Sequence, residues 1–453
     1  MDMTGSFCRA SEAGSPFRLP DFEKFVMDNG LTVYLMEQHE VPLIYVSFVF
    51  PAGVVNDGET YGLSFLTAEG LLFGTQNYTK KQIEESLDFI GASYETSSSK
   101  EFAKLSLSFV NTDQETVFPI LKDIVMLPTF DEEEFLKRKK RLLVELEQAK
   151  EKPSKVIGSY YDKFLFQDHP YGNPTSGIIG SVSDISVKDV NNFYAAHYNP
   201  GGSAIAIVGD FETSKMKEDI TRLFRNWKGK GMTFSIQHEP ISSIRTNRLL
   251  LVNKEDATET RFMIGSFGIK RSNPDYVPVQ VVNTVLGGRF TSWLNDELRI
   301  NRGLTYGVYS YFNELKDTGT FQISSFTPTE TTIEAIDVTL EILDRLHTQG
   351  LDEETLISAK NYIKGQYPPR YETAGSLASL LTSMFVYDFD ESFINDFQKN
   401  VDEMTLEKAR QVIDDYFPSD NLQFVLIGKA SEIRHAVQKY GEIIDKEIKD
   451  DGF

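Results

Sequence analysis

An arginine and a tyrosine lie four residues apart at Arg302 and Tyr306, in the segment R-G-L-T-Y-G. Arginine is a permanent cation with five N–H donors in a fixed plane, and tyrosine adds one hydroxyl donor. Both groups can stabilise a carbonyl oxygen as it gains negative charge. The surrounding residues predict a loop that leads into a strand, from which both side chains could face a chamber. The alternative is that Arg302 pairs with a carboxylate such as Glu297 while Tyr306 packs in a sheet.

Other catalytic arrangements are missing from the sequence. No two of the six histidines lie within five residues of each other, which excludes a local histidine pair for a metal ion. The single cysteine, Cys8, allows neither an intramolecular disulfide nor a thiolate metal cage. There is no G-x-S-x-G segment, so a serine nucleophile on that type of turn is excluded as well.

The two halves of the chain resemble each other. The first half closes with a helix pattern over 185–198, a Pro-Gly-Gly turn and an apolar strand pattern over 203–211. The second half closes with a helix pattern over 406–417, a Pro-Ser-Asp turn and a strand pattern over 422–430. Such internal similarity predicts a duplicated unit of about 220 residues.

Earlier in each half, alternating apolar residues predict strands, and acidic residues at Asp131 and Asp352 predict the start of a long helix. The irregular alternation of strands and helices favours an α+β fold. We expect two homologous α/β sandwich halves, with mainly antiparallel sheets and helices packed on one face. The predicted boundaries are a flexible leader at 1–18, an N-terminal half at 19–228, a linker at 229–247 and a C-terminal half at 248–453.

The overall charge and hydropathy exclude some classes of partner. The formal net charge is −21, from 67 acidic and 46 basic residues, so the average field repels phosphate backbones and nucleic acid is not expected to bind. No apolar stretch approaches the ~18 residues of a membrane span. The first twenty residues lack the apolar region of a signal peptide. The expected location is the periplasm if an export signal has been removed, and otherwise an unspecified soluble compartment.

The segment Gly62–Thr75 resembles the zinc helix of the pitrilysin and mitochondrial processing peptidase family, which are inverzincins. In that family an inverted H-x-x-E-H motif lies between a Gly-Leu and a Gly-Thr at this spacing. Its histidines bind zinc, and its glutamate acts on the attacking water. The resemblance implies that Phe65 and Glu69 stand at the two histidine positions and Ala68 at that of the catalytic glutamate. It places Glu145 at the position of the third zinc ligand.

A phenyl ring and a methyl group offer no lone pair, so the resemblance implies a degenerate site and no metal bound by this chain. The carboxylates of Glu69 and Glu145 could hold a weakly bound hard cation. The alternative is that both are partly exposed carboxylates on helix surfaces.

The second half retains the other signature of the family. The residues that precede and include R-G-L-T-Y-G closely resemble the second signature of the family, which contains R-G-L-x-Y. In family members its arginine and tyrosine lie across a chamber from the zinc, where they hold the substrate backbone and polarise the scissile carbonyl. The resemblance implies these roles for Arg302 and Tyr306. It extends through both halves, from about Leu19 to Tyr440.

One branch of this family divides the enzyme between two polypeptides, one with the zinc motif and one with only the arginine–tyrosine motif. The sequence matches the second kind. The implied function is a non-catalytic subunit that is inactive alone and pairs with a zinc-bearing paralogue, in a heterodimer or larger assembly, to bind peptide substrate. Zinc is expected in the partner only. A non-enzymatic scaffold or peptide-binding protein of the same fold is the alternative, and an autonomous peptidase with a rebuilt metal site is the least favoured.

Overall fold

The fold is that of a computed structural model, which describes residues 17–229, 241 and 244–453. Nearly all of the predicted leader and most of the predicted linker lie outside the described residues. Searching the described part of the chain reveals no helix with the length and apolar character needed to cross a membrane.

The first half of the chain builds one mixed sheet of six strands. These strands are β1 (Glu23–Val26), β2 (Thr32–Glu37), β3 (Leu43–Phe50), β4 (Ser93–Ser98), β5 (Ala103–Val110) and β6 (Ala204–Gly209). They lie in the order β1-β2-β6-β3-β5-β4. Only β2 and β6 pair in parallel, so the sheet is mainly antiparallel, as predicted.

The second half builds a sheet of the same size and arrangement. Its strands are β7 (Arg248–Asn253), β8 (Glu259–Gly268), β9 (Val308–Glu314), β10 (Gly319–Pro328), β11 (Gln423–Gly428) and β12 (Glu442–Glu447). The order is β12-β7-β11-β8-β10-β9, with β7 parallel to both β11 and β12. Because β2 to β6 follow the same path as β7 to β11, the predicted duplication is confirmed in the topology.

Helices connect and cover these strands. In the first half they are α1 (Leu63–Gly70), α2 (Lys80–Phe89), α3 (Gln114–Met126), α4 (Glu132–Ala149), α5 (Pro153–Phe166), α6 (Ile179–Asp184), α7 (Val187–His197) and α8 (Thr213–Phe224). In the second half they are α9 (Tyr276–Leu286), α10 (Trp293–Asn295), α11 (Thr332–Gln349), α12 (Glu353–Gln366), α13 (Ala374–Tyr387), α14 (Ser392–Asn395), α15 (Phe397–Asp402), α16 (Leu406–Tyr416) and α17 (Ala430–Val437).

The acidic starts of the two long helices have a local cause. The side chain of Asp131 accepts a hydrogen bond from the backbone N–H of Glu134, and that of Asp352 accepts one from Thr355. Each aspartate therefore caps a helix N-terminus, where backbone N–H groups lack partners within the helix. This confirms the predicted starts of α4 and α12.

The halves exchange one helix each. Helix α5 of the first half packs on β8 and β11 of the second sheet, and α13 of the second half packs on β3 and β6 of the first sheet. Each sheet thus carries its own helices on one face, as predicted, and a helix from the other half on the opposite face. The exchange explains why all six residues of β6 and of β11 are buried, since side chains on both faces of these strands are covered.

Candidate functional site

A buried aspartate, Asp57, binds the N-terminus of α1, the helix of the degenerate motif. Asp57 accepts hydrogen bonds from the backbone N–H groups of Gly62 at 3.0 Å and Ser64 at 2.8 Å. Gly62 has a φ of +96°, a left-handed conformation that glycine adopts without the strain of a side chain. Burial raises the pKa of Asp57 to about 7, although the N–H donors oppose this shift. The start of α1 therefore depends on a glycine and a desolvated carboxyl group.

A guanidinium group from α4 lies among the degenerate positions. Arg138 Nε is 2.6 Å from Oε2 of Glu69, and Arg138 Nη2 donates to Oε1 of Glu69 at 3.0 Å. The same Nη2 is 3.1 Å from Oε2 of Glu145. The guanidinium carbon lies 5.6 Å from the centre of the Phe65 ring. Arg138 therefore contacts three of the four side chains that the family resemblance assigns to the zinc and catalytic positions.

Arg138 pairs with both carboxylates of this cluster. Burial raises the pKa of Glu69, while its hydrogen bond and charge interaction with Arg138 act in the opposite direction. Arg138 is itself buried, with 8% of its surface exposed, and a buried cation of this kind is stable only when it is paired. The cation beside Glu69 and Glu145 is thus a side chain of α4.

The remaining substituted position, Ala68, is only 1% exposed and belongs to the core of the first half. A glutamate at this position would have to reach the surface from a packed apolar environment. In the described part of the chain, no group of three or more histidine, cysteine, aspartate or glutamate side chains is arranged to hold a metal ion.

Helix α1 lies beside an open sheet edge. Ser98 on β4 donates a hydrogen bond to the hydroxyl of Ser64 on α1 at 3.2 Å. Among the described strands, β4 pairs with β5 alone, so its outer backbone N–H and C=O groups face away from the sheet. Such an edge can accept an added strand from an extended peptide.

The second signature lies in the loop between the π-helical segment Asp296–Asn301 and β9. Arg302 Nε donates to Oε1 of Glu297 at 2.8 Å, and its other nitrogens lie 3.5 Å from Glu341 and 3.9 Å from Glu334. The ion pair with Glu297 was one of the two arrangements considered from the sequence. The guanidinium remains accessible, because 37% of the Arg302 side chain is exposed.

Tyr306 does not pack in the sheet; 82% of its surface is exposed. Two side chains of β10 hold the backbone of the loop around it. Thr327 of β10 donates to the carbonyl of Leu304 at 2.7 Å, and Ser325 donates to the carbonyl of Gly307 at 3.0 Å. These bonds fix the backbone on both sides of Tyr306 while its ring projects into solvent.

The site residues therefore fall into two groups. Phe65, Glu69 and Glu145 come together around Arg138 in the first half, and Arg302 lies with Tyr306 beside the second sheet. The sequence did not single out Arg138, because a basic residue within a run of charges on a helix is usually solvated. The missed signal is its position seven residues before Glu145, which places both on one face of α4.

Two models of one peptidase family match this chain. The model described as the insulinase family, peptidase family M16, matches residues 32–178, and that described as the peptidase M16 inactive domain matches residues 184–363. The chain belongs to the M16 peptidase family. This confirms the family that the zinc-helix and R-G-L-x-Y resemblances indicated. Since the zinc motif is substituted, the chain is an M16 member of the non-catalytic type.

Relatives and solved structures agree with this family and fold. The uncharacterized zinc protease YmxG of Bacillus subtilis is 22% identical over 79% of this chain and 86% of its own length. The non-peptidase homolog YmxG of Helicobacter pylori is 22% identical over 86% of this chain and 90% of its own length. The crystal structure of a peptidase M16 inactive domain from Pseudomonas fluorescens superposes with a TM-score of 0.83 at 24% identity, covering 90% of this chain and 98% of that one.

Proposed function

We propose that this M16 chain is the non-catalytic subunit of a heteromeric zinc metallopeptidase. It pairs with a zinc-bearing M16 paralogue and supplies Arg302 and Tyr306 to bind peptide and to stabilise the transition state of peptide hydrolysis. The zinc and the water-activating glutamate belong to the partner. This chain alone hydrolyses nothing, because its α1 offers neither the metal ligands nor the general base.

The observation that carries the proposal is the exposure of Tyr306 on a fixed loop. Single exposed aromatic rings are common on protein surfaces, so the exposure of Tyr306 carries weight through its neighbour Arg302 and the fixed backbone of the loop. Here the ring and the accessible guanidinium of Arg302 share one loop, and together they present two donor types to a carbonyl oxygen.

The first half supports the same division of labour. Arg138 forms ion pairs with the two carboxylates that would otherwise attract a cation, so its guanidinium competes with a metal ion at this position. The free edge of β4 next to α1 supplies backbone groups for an extended peptide. Peptide binding is thus supported by two surfaces and metal chemistry by neither.

The second candidate is a scaffold or peptide-binding protein without a role in hydrolysis. The three glutamates around Arg302 favour it, because a guanidinium already paired with Glu297 has fewer donors free for a substrate. The two candidates differ in whether Arg302 acts on the reacting carbonyl.

The decisive experiment mixes the purified chain with a zinc-motif paralogue from the same organism and follows cleavage of a quenched fluorescent peptide. We expect cleavage by the mixture and by neither protein alone. Arg302→Ala and Tyr306→Phe should each lower kcat by about 10²-fold or more, the usual cost of losing one transition-state donor. Arg299→Ala and Tyr362→Phe are matched controls and should leave the rate unchanged.

Activity in the mixture that survives both Arg302→Ala and Tyr306→Phe would move the conclusion to the scaffold function, as would a complex that forms and shows no cleavage. Metal-dependent cleavage by this chain alone would refute both. The proposed compartment is the periplasm, on the condition that the chain is exported, and fractionation of cells with an antibody to the chain tests this.

A further inference from the structure

A cavity of about 280 Å³ lies between the first sheet and the exchanged helix α13. Helix α13 packs on β3 and β6, so it leaves the same face of the neighbouring β5 and β4 partly open. The floor of the cavity is formed by Lys104, Ser106 and Ser108 of β5. Its volume is at the lower limit of ligand pockets, which suits one side chain rather than a whole ligand.

The walls of this cavity contain both polar and apolar side chains. Gly375 in the first turn of α13 brings the helix against the ring of Tyr45, since an added Cβ would lie 3.2 Å from that ring. The next turn provides Ser379. On the outer side, β4 provides Ser93 and Glu95, which are exposed and lie opposite Ser108 and Ser106 in the strand pairing.

Lys104 forms no close ion pair in this cavity, and its acidic neighbour there, Glu95, acts on it only at longer range. Its ammonium group donates to the hydroxyl of Ser379 at 2.8 Å, and no carboxylate lies within 4.0 Å of it in the described residues. Burial lowers the pKa of Lys104, and the charge of the solvated Glu95 only partly opposes this. A partly desolvated ammonium with unused N–H donors is stabilised by an incoming carboxylate.

The corresponding place in the second half is lined differently. There the exchanged helix is α5, and the outer strand β9 carries the exposed aromatic side chains of Tyr309 and Tyr311 where β4 carries small or acidic side chains. The side chains of the outer strand therefore differ between the two halves.

We propose that the cavity at Lys104 is a subsite for the carboxylate of a peptide, with Lys104 and Ser379 as the groups that bind it. A peptide strand added to the free edge of β4 presents alternate side chains to this face of the sheet, so an aspartate or glutamate side chain can enter beside α13. The proposal rests on the proposed peptide-binding function and adds a side-chain preference to it.

The first test uses small carboxylates and does not depend on peptide binding. The full-length chain is labelled with ¹³C-lysine, which leaves the ammonium groups unmodified, and the Lys104 side-chain signal is assigned with Lys104→Met. N-acetyl-aspartate N-methylamide supplies a side-chain carboxylate, N-acetylglycine a main-chain carboxylate, and N-acetyl-asparagine N-methylamide neither. We expect a saturable shift of the Lys104 signal with one or both carboxylates and none with the asparagine compound. No shift with either carboxylate at tens of millimolar would overturn the proposal.

The second test uses the complex with the zinc-motif paralogue and fluorescent peptides in which aspartate replaces asparagine at each position in turn. At one position the aspartate peptide should bind about tenfold more tightly, the usual value for one charge-assisted hydrogen bond. Lys104→Met should abolish this ratio and Ser379→Ala should reduce it. Lys188→Met, at an exposed lysine on α7, should leave the ratio unchanged.

The two tests separate the possible failures. Peptides that bind with no difference between aspartate and asparagine at any position would refute the cavity and leave the proposed function standing. A Lys104 signal that responds to carboxylates in a complex that binds no peptide would refute the proposed function and support the cavity. Response to N-acetylglycine alone would identify a peptide C-terminus as the source of the carboxylate.

Discussion

Replacement of Arg138 by alanine should destabilise the first half strongly, because it leaves two carboxylates facing each other without their cation. Removing one partner of a buried ion pair costs about 3–5 kcal/mol. Glu69 is 24% exposed and Glu145 is 48% exposed, so water screens part of this cost, and we expect about 3 kcal/mol. For a unit the size of one half, this lowers Tm by about 6–12 °C.

The assay is thermal unfolding of the full chain with and without divalent cations. Wild-type Tm should not respond to millimolar Mg²⁺, Ca²⁺ or Zn²⁺, because the Arg138 guanidinium already pairs with both carboxylates. In Arg138→Ala the same cations should raise Tm, since oxygen ligands at Glu69 and Glu145 become available. Adding Glu69→Gln to Arg138→Ala should restore part of the stability and abolish the metal response.

Lys140→Ala removes one exposed positive charge from the same helix and is the matched control. It should change stability by no more than about 0.5 kcal/mol. A loss below about 1 kcal/mol in Arg138→Ala would refute the interpretation that this guanidinium stabilises the cluster in place of a metal. A wild-type Tm that rises with zinc as much as that of the variant would refute it too.

Three further predictions concern the ends of helices and strands. Gly62→Ala should lower the free energy of unfolding by about 2 kcal/mol, because φ is +96° and the new Cβ would lie 3.1 Å from two backbone atoms. Denaturant unfolding measures this loss. The folded-state pKa of Asp57 is raised, so its contribution to stability should fall as pH rises from about 4 to about 7, and this slope should disappear in Asp57→Asn. The pKa of His39 is raised mainly by its hydrogen bond to Asp210 and to a smaller extent by its hydrogen bond to Glu37. The stabilisation from this group is therefore complete below about pH 6.5 and is lost as pH rises through the folded-state pKa. An NMR titration should place the His39 pKa above 6.5 and move it down in Asp210→Asn; an unchanged value would contradict the geometry.

The architecture was predictable from sequence wherever it depended on local pattern. The Pro-Gly-Gly and Pro-Ser-Asp turns fixed the starts of β6 and β11, and the acidic caps fixed the starts of α4 and α12. The exchange of α5 and α13 was not predicted, because nothing in local periodicity says which sheet a helix covers. Its signal was compositional: α13 has apolar residues around most of its circumference, as expected of a helix buried between two layers.

The candidate site was predictable only in part, for a related reason. Motif spacing identified which positions had lost their zinc chemistry, since a motif is read along one chain segment. It did not show what had taken the place of the metal, because Arg138 reaches Glu69 from a different helix, and such a contact is set by the packing of α4 against the first half. Similarly, the exposure of Tyr306 depends on hydrogen bonds from β10, which lies later in the chain.

The two halves thus show opposite outcomes of one duplication. In the first half, the position of a metal contains an internal cation that is buried and paired, so it can preserve the local structure without offering an open coordination site. In the second half, the arginine and tyrosine stay at the surface on a loop that β10 holds in place. Tyr306 is 82% exposed on this loop, so its hydroxyl is available to a substrate, whereas Glu69 and Glu145 are already paired with Arg138. The asymmetry therefore favours a subunit that still binds peptide and depends on another protein for the metal.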